Sequence, residues 1–113
     1  MSDARYRRGA VVLAVLSGDS GKSRPAIVVQ SDLFNEIHAS IVLCPASSLM
    51  TGSTLFRIPI QASETSGFAE DSEIMIDKIV AAKRERIRRK IGVLSAPQME
   101  DVDRALRIWL ELT

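Results

Sequence analysis

Pro25 constrains this chain more than any other single residue. It follows the loop Gly18-Asp19-Ser20-Gly21-Lys22-Ser23 and precedes the β-branched run Ile27-Val28-Val29. By composition the loop resembles a phosphate-binding P-loop, which requires a helix to start at its lysine and to receive phosphate at its N-terminus. A proline three residues on, followed by strand-forming residues, is incompatible with that helix. The further glycine that a P-loop places ahead of Gly-Lys-Ser, with four residues between, is here Leu16. Upstream, Ala10 to Leu16 is a Val-rich run that reads as a buried strand. The segment is therefore strand, loop, strand, and a nucleotide hydrolase is excluded.

The pattern continues along the chain. Ala26-Ile27-Val28-Val29-Gln30 reads as the second strand, and Ser31 to Asn35 as a short capped helical turn. Ser40 to Cys44 is a third strand running into Pro45. Leu55 to Ile60 is a fourth, with Phe56, Ile58 and Ile60 on one face and Arg57 on the other. Glu73 to Asp77 and Ile87 to Leu94 supply two more. Short strands at this spacing predict a compact β barrel or a strongly curled sheet. Ser95 and Gln98 then form an S-x-x-Q capping box, with Pro97 tolerated in the first turn. Met99, Val102, Leu106 and Trp109 recur at helical steps, so a terminal helix packs on the sheet, with Trp109 a core or dimer contact.

With 113 residues the chain is expected to form one domain, 1–113. No apolar stretch approaches the ~18 residues of a membrane span, and the start, Met1 to Arg8, lacks a signal peptide's apolar region. The lone Cys44, inside an apolar run, reads as a small buried hydrophobe in a reducing cytoplasm. One His and one Cys give no metal-ligand pattern, so neither a metal nor another cofactor is expected, and His38 is expected on the surface. Fifteen basic against fourteen acidic residues leave almost no net charge, but the distribution is uneven. Glu64 to Asp77 holds acids and no base, while Lys83 to Lys90 is strongly basic. If extended, the latter puts Arg84, Arg86, Arg88 and Lys90 on one face, either as a solvated edge strand or as an RNA contact.

The ordered series of segments is more specific than any one of them. Arg8-Gly9-x-Val11-Val12-Leu13, a Gly-rich loop, Arg24-Pro25-Ala26-Ile27-Val28-Val29 and Ser31-Asp32-Leu33-Phe34-Asn35 open it. Ile41 to Ser48, Arg57-Ile58-Pro59-Ile60, Ser72 to Ile79, Lys90 to Ser95 and the terminal helix complete it. In order and spacing this resembles the MazF/PemK toxins of type II toxin-antitoxin systems over nearly the whole chain.

That resemblance implies a mainly β fold with α: an SH3-like, CcdB/MazF-type barrel of short antiparallel strands plus a C-terminal helix. It implies a homodimer that cuts single-stranded RNA without a metal or cofactor. The ribose 2′-hydroxyl attacks the adjacent phosphate, leaving a 2′,3′-cyclic phosphate and a 5′-hydroxyl, and a cognate antitoxin protein silences the activity. Arg24 matches the family's functional arginine. Its guanidinium suits a phosphate clamp and not a general base, because its pKa lies above ~12. Ser47 falls where the family usually has a threonine, so these two are the expected catalytic residues, with Ser48 beside them. Asp77 and Lys78 occupy an acidic-polar pair, and Asp19 and Lys22 lie in the loop beside Arg24. These five, Lys22, Ser48, Asp77, Lys78 and Asp19, are expected to bind RNA, and the general base is unassigned among the carboxylates. One branch of the family has an arginine two residues before the aspartate; here that position is Met75, and a scheme relying on it does not carry over.

Two other readings remain at this point. A CcdB-like toxin shares the barrel but poisons gyrase through the extreme C-terminus of its helix. A catalytically decayed member acts with an antitoxin on DNA.

Overall fold

The computed structural model describes residues 6–52 and 55–113. Residues 1–5, most of the segment read above for a signal peptide, lie outside this range. Among the described residues seven strands form one antiparallel sheet, in the order β4-β5-β3-β2-β1-β7, with β6 added beside β3. They are β1 (Ala10–Val15), β2 (Ser23–Val28), β3 (Ser40–Ser47), β4 (Arg57–Ile60), β5 (Ser72–Met75), β6 (Val80–Lys83) and β7 (Ile87–Val93). The sheet curls into a barrel-like shape without closing. A short helix α1 (Asp32–Asn35) follows β2, and a long helix α2 (Ala96–Leu110) ends the fold. None of the described helices is long and apolar enough to cross a membrane.

The central strands read as continuous apolar runs because both of their faces are buried. Val11, Ile27, Cys44 and Ile74 point toward Val102, Ala105 and Leu106 of α2 and form one core. Their neighbours Val12, Val28, Ile41 and Leu43 point the other way, into a second core with Tyr6, Ala82 and Ile87. Each such Val, Leu or Ile contributes roughly 1.5–3 kcal/mol by leaving water. Two close approaches fix the 61–71 connection on β7. Val93 N donates to Thr65 O at 2.9 Å. A Cβ on Gly67, whose φ is +78°, would meet Ile91 O at 2.1 Å, and one on Gly92 would meet Ser66 O at 2.3 Å.

Several boundaries differ from the sequence expectation. β2 starts at Ser23, so Arg24 and Pro25 lie within the strand, opposite Ala14 and Leu13. β3 passes through Pro45 and continues to Ser47. On one edge of β3, β6 pairs with Ser40 to Leu43 and β5 with Ala46 and Ser47. Pro45 falls in the gap between these pairings, where no ladder partner on that edge calls on the missing N–H. The strand read at Glu73 to Asp77 ends at Met75 and gives way to a 3₁₀ turn, Ile76–Lys78, after which β6 is an additional strand.

The basic run is not continuously extended. A 3₁₀ turn, Arg84–Arg86, separates β6 from β7. Its cause lies in a distant segment: Arg84 N donates to Ala39 O at 3.0 Å, and the guanidinium donates to the carbonyls of Asn35 and His38. The single face through Arg84, Arg86, Arg88 and Lys90 is therefore broken. β7 is the terminal strand beyond β1, with Arg88, Arg89 and Lys90 exposed along it.

The capping box forms as the sequence predicts. Ser95 Oγ accepts from Gln98 N at 3.2 Å, and Gln98 Oε1 accepts from Ser95 N at 2.7 Å. The apolar stripe is buried only in the first part of α2. Ile108, Leu110 and Leu112 are exposed, and Trp109 packs edge-on against Phe56 with ring centroids 4.7 Å apart while 42% exposed. Trp109 is therefore not a core residue.

Candidate active site

Arg24 is held on β2, a paired strand, with its side chain at the sheet surface. The preceding loop turns twice, Asp19 N donating to Leu16 O at 3.2 Å and Lys22 N to Asp19 O at 3.0 Å. Gly18 and Gly21 take φ of +89° and +79°, a left-handed conformation that costs glycine little. The fold-back brings the Asp19 carboxylate onto one edge of the Arg24 guanidinium. Nε donates to Oδ2 at 2.9 Å and Nη2 to Oδ1 at 3.0 Å. On the other edge Nη1 donates to Ala46 O at 3.5 Å. Arg24 thus faces the end of β3, immediately before Ser47.

Arg24 and Asp19 line a pocket of about 360 Å³ with Lys78, Pro45, Met75 and Val80. Lys78 reaches it because the 3₁₀ turn after β5 brings the chain back beside β3. Ser47 Oγ accepts from Leu49 N at 3.1 Å, which leaves its O–H to donate elsewhere. Ser48 and Lys22 are exposed, one just past β3 and the other just before β2. Of the sequence candidates, then, Arg24, Asp19 and Lys78 line one pocket, Ser47 follows Ala46, whose carbonyl Arg24 reaches, and Ser48 and Lys22 are exposed outside the pocket lining.

Asp77 is differently employed. Arg57 donates to it through Nε at 2.8 Å and Nη2 at 3.1 Å, and through Nη1 to Glu73 at 3.2 Å. These hydrogen bonds hold the Asp77 carboxyl below its ordinary range and push the Arg57 guanidinium above its own. Glu73 is only 1% exposed, and it also accepts from Thr51 N at 3.1 Å and Thr51 Oγ1 at 3.0 Å. The network fastens the connection after β3 to β5.

Sequence reasoning missed the network of Arg57 and Glu73 that engages Asp77. Their signal was present: Arg57 is the one charged position of a strand whose alternate residues enter the core, and Glu73 sits in a segment with acids and no base. Their meeting depends on pairing that spacing along the chain does not reveal. Met75 stands opposite Arg57 across β4 and β5 and lines the Arg24 pocket.

The remaining reactive side chains lie elsewhere. Burial pushes the Cys44 thiol up to about 12, so it is no nucleophile at neutral pH. His38 is exposed and interacts with Ser40. Among the described residues no three His, Cys, Asp or Glu side chains gather in a group that would hold a metal ion.

A curled antiparallel sheet with an arginine fork, a carboxylate and a lysine around one pocket defines a small β-barrel-like class of protein with a charged surface site. Residues 7–110 match the family described as PemK-like, MazF-like toxin of type II toxin-antitoxin system. The chain is 33% identical over 105 residues to a probable endoribonuclease MazF of Mycolicibacterium smegmatis, covering 92% of this chain and 95% of that one. It is 31% identical over 111 residues to endoribonuclease EndoA of Bacillus subtilis, covering 94% and 95%. A mycobacterial endoribonuclease solved in complex with its cognate antitoxin shares the fold at a TM-score of 0.80 and 17% identity, covering 95% of this chain and 96% of that one. The chain belongs to the PemK/MazF-like toxin family of type II toxin-antitoxin systems.

Proposed function

We infer that this protein is the toxin of a toxin-antitoxin pair and an endoribonuclease that cuts single-stranded RNA without a metal or cofactor. One observation carries the reading: a guanidinium, a carboxylate and an ammonium line the same pocket, beside a hydroxyl with a donor to spare. Membership in a family whose relatives are named endoribonucleases supports it.

In the reaction an RNA phosphate takes the Arg24 fork, which matches two of its oxygens and stabilises the charge of the phosphorane-like transition state. Entry of the phosphate frees Asp19 from Arg24, and Asp19 accepts the 2′-hydroxyl proton. The 2′-oxygen attacks phosphorus and the P–O5′ bond breaks. The departing 5′-oxygen takes a proton from the Lys78 ammonium, giving a 5′-hydroxyl and a 2′,3′-cyclic phosphate. Ser47 donates to the phosphate and orients it, while Lys22 and Ser48 bind the strand at the pocket's margins. Asp77, engaged by Arg57, contributes shape and a base-edge contact, not proton transfer.

The exposed Ile108, Trp109, Leu110 and Leu112 at the end of α2 supply an apolar face for a homodimer. A cognate antitoxin covers the site and silences it, in keeping with a mycobacterial relative solved in complex with its own antitoxin, and the free buried thiol suits the cytoplasm. The experiment is incubation of antitoxin-free protein with long single-stranded RNA in EDTA, beside Arg24→Ala. Discrete products with cyclic phosphate ends, absent with the variant, establish the reading. Intact RNA with a folded wild-type protein overturns it, and a gyrase-binding assay follows.

A further inference from the structure

A second depression of about 490 Å³ lies between the β1–β2 loop and β6, bordered by Gly18, Ser20, Gly21, Ala81, Lys83 and Arg86. It shares Leu16, Ser17 and Val80 with the Arg24 pocket, so the two form one groove. β6 carries the wall of this groove roughly 10 Å from Val80 to Lys83, at the rise of a strand. Two cations therefore stand further along the surface from the phosphate clamp.

The arrangement is held in place. Arg84 anchors the 3₁₀ turn through the carbonyls of Asn35, His38 and Ala39, and its neighbours Lys83 and Arg86 border the groove. Among the described residues neither of those two side chains has an ionic partner, in contrast to Arg8, Arg24 and Arg57. The small loop residues opposite leave room for a backbone to lie between them and β6.

We propose that Lys83 and Arg86 form a second phosphate subsite, which takes the backbone of the same single-stranded RNA beyond the scissile phosphate. The inference rests on the ribonuclease reading for the identity of the strand. The subsite positions the substrate and contributes affinity, and takes no part in bond breaking. Neutralising two phosphates makes binding salt-dependent, with a slope of about −0.7 for each contact on a single strand.

The test uses the full chain and 2′-O-methylated single-stranded RNA, which has no free hydroxyl to attack, so binding is read independently of cleavage. Lys83→Ala/Arg86→Ala is compared with Arg88→Ala/Lys90→Ala, which removes the same charge from exposed positions on β7, outside both depressions. The first variant is expected to weaken binding of a long RNA roughly tenfold and to lower the salt slope by about 1.4, the second far less. On an oligonucleotide too short to leave the Arg24 pocket, all three proteins bind alike. In cleavage of unmodified RNA the first variant raises KM and leaves kcat unchanged.

Equal behaviour of the two variants, or an equal loss on the short oligonucleotide, overturns the proposal. Unchanged RNA binding with selectively weakened binding of a polyglutamate peptide also overturns it and gives the groove to an acidic protein segment. Wild-type protein that binds RNA through this groove but cuts none leaves the subsite standing and sinks the ribonuclease reading instead.

Discussion

The carboxylate of Asp19 spans one edge of the Arg24 guanidinium, accepting from Nε at 2.9 Å and from Nη2 at 3.0 Å. The pair is local, five residues apart, and exists because two consecutive turns fold the loop back onto its own strand. Asp19 occupies the fork that a phosphate would take, with its side chain only 14% exposed. On the proposed mechanism, this one contact orients the Arg24 fork before substrate arrives and sets the proton acceptor beside it.

Arg24→Ala is expected to lower cleavage by about 10²–10³, the usual loss when one transition-state donor is removed from an enclosed site. Arg24→Lys recovers little of it, because an ammonium has the charge but not the planar fork. Single-turnover cleavage of RNA at saturating protein checks both. Full activity of the lysine variant sinks the fork argument.

The two candidate carboxylates separate by substitution. Asp19→Asn is expected to reduce kcat by about 10²–10⁴, the contribution of a positioned general base. Asp77→Asn leaves kcat nearly intact. Steady-state kinetics on one RNA decides the matter, and the reverse ranking moves the base to Asp77.

Asp77 shows instead in acid stability. Its carboxyl is held below its ordinary value by Arg57, so the stabilisation is complete above the unfolded value of about 3.9 and is lost as pH falls through the folded one. Melting temperature against pH is expected to show Asp77→Asn most deficient near neutrality, with the gap to wild type closing below about pH 4. A gap that is constant with pH contradicts the ion pair.

Removing Arg57 leaves Glu73 buried without its cation. Arg57→Ala is expected to cost about 3–5 kcal/mol, as for other broken buried pairs, while Arg57→Met with Glu73→Gln restores most of it. Urea denaturation measures both.

Gly67→Ala places a Cβ 2.1 Å from Ile91 O at a positive φ, and two backbones must separate to admit it. Its unfolding midpoint is expected to fall markedly, whereas Gly52→Ala, also at positive φ but with nothing within 4 Å, is expected to fall much less.

Much of this molecule was legible in the chain itself. Pro25 after Gly-Lys-Ser excluded a nucleotide-binding helix, the capping box at Ser95 and Gln98 placed the start of α2, and the apolar runs marked the central strands. Arg24, Asp19 and Lys22 were legible together because a single short loop holds them. Local patterns determine such features through steric limits and side-chain periodicity, which act over a few residues. Other features arise between segments distant in sequence. Pro45 stays inside β3 because two different strands share its edge, and the basic run breaks at Arg84 because the carbonyls of Asn35, His38 and Ala39 capture that residue. Asp77 is committed to Arg57, 20 residues away, through pairing of β4 with β5. Trp109 is 42% exposed although its stripe is unbroken, because it rests edge-on against Phe56, reached only through the tertiary fold. The sequence by itself determined the central strands, the terminal helix and the short loop that holds Asp19 beside Arg24. Only the tertiary structure decided that Asp77 is engaged elsewhere, since its partner Arg57 arrives through the pairing of β4 with β5 and not through spacing along the chain.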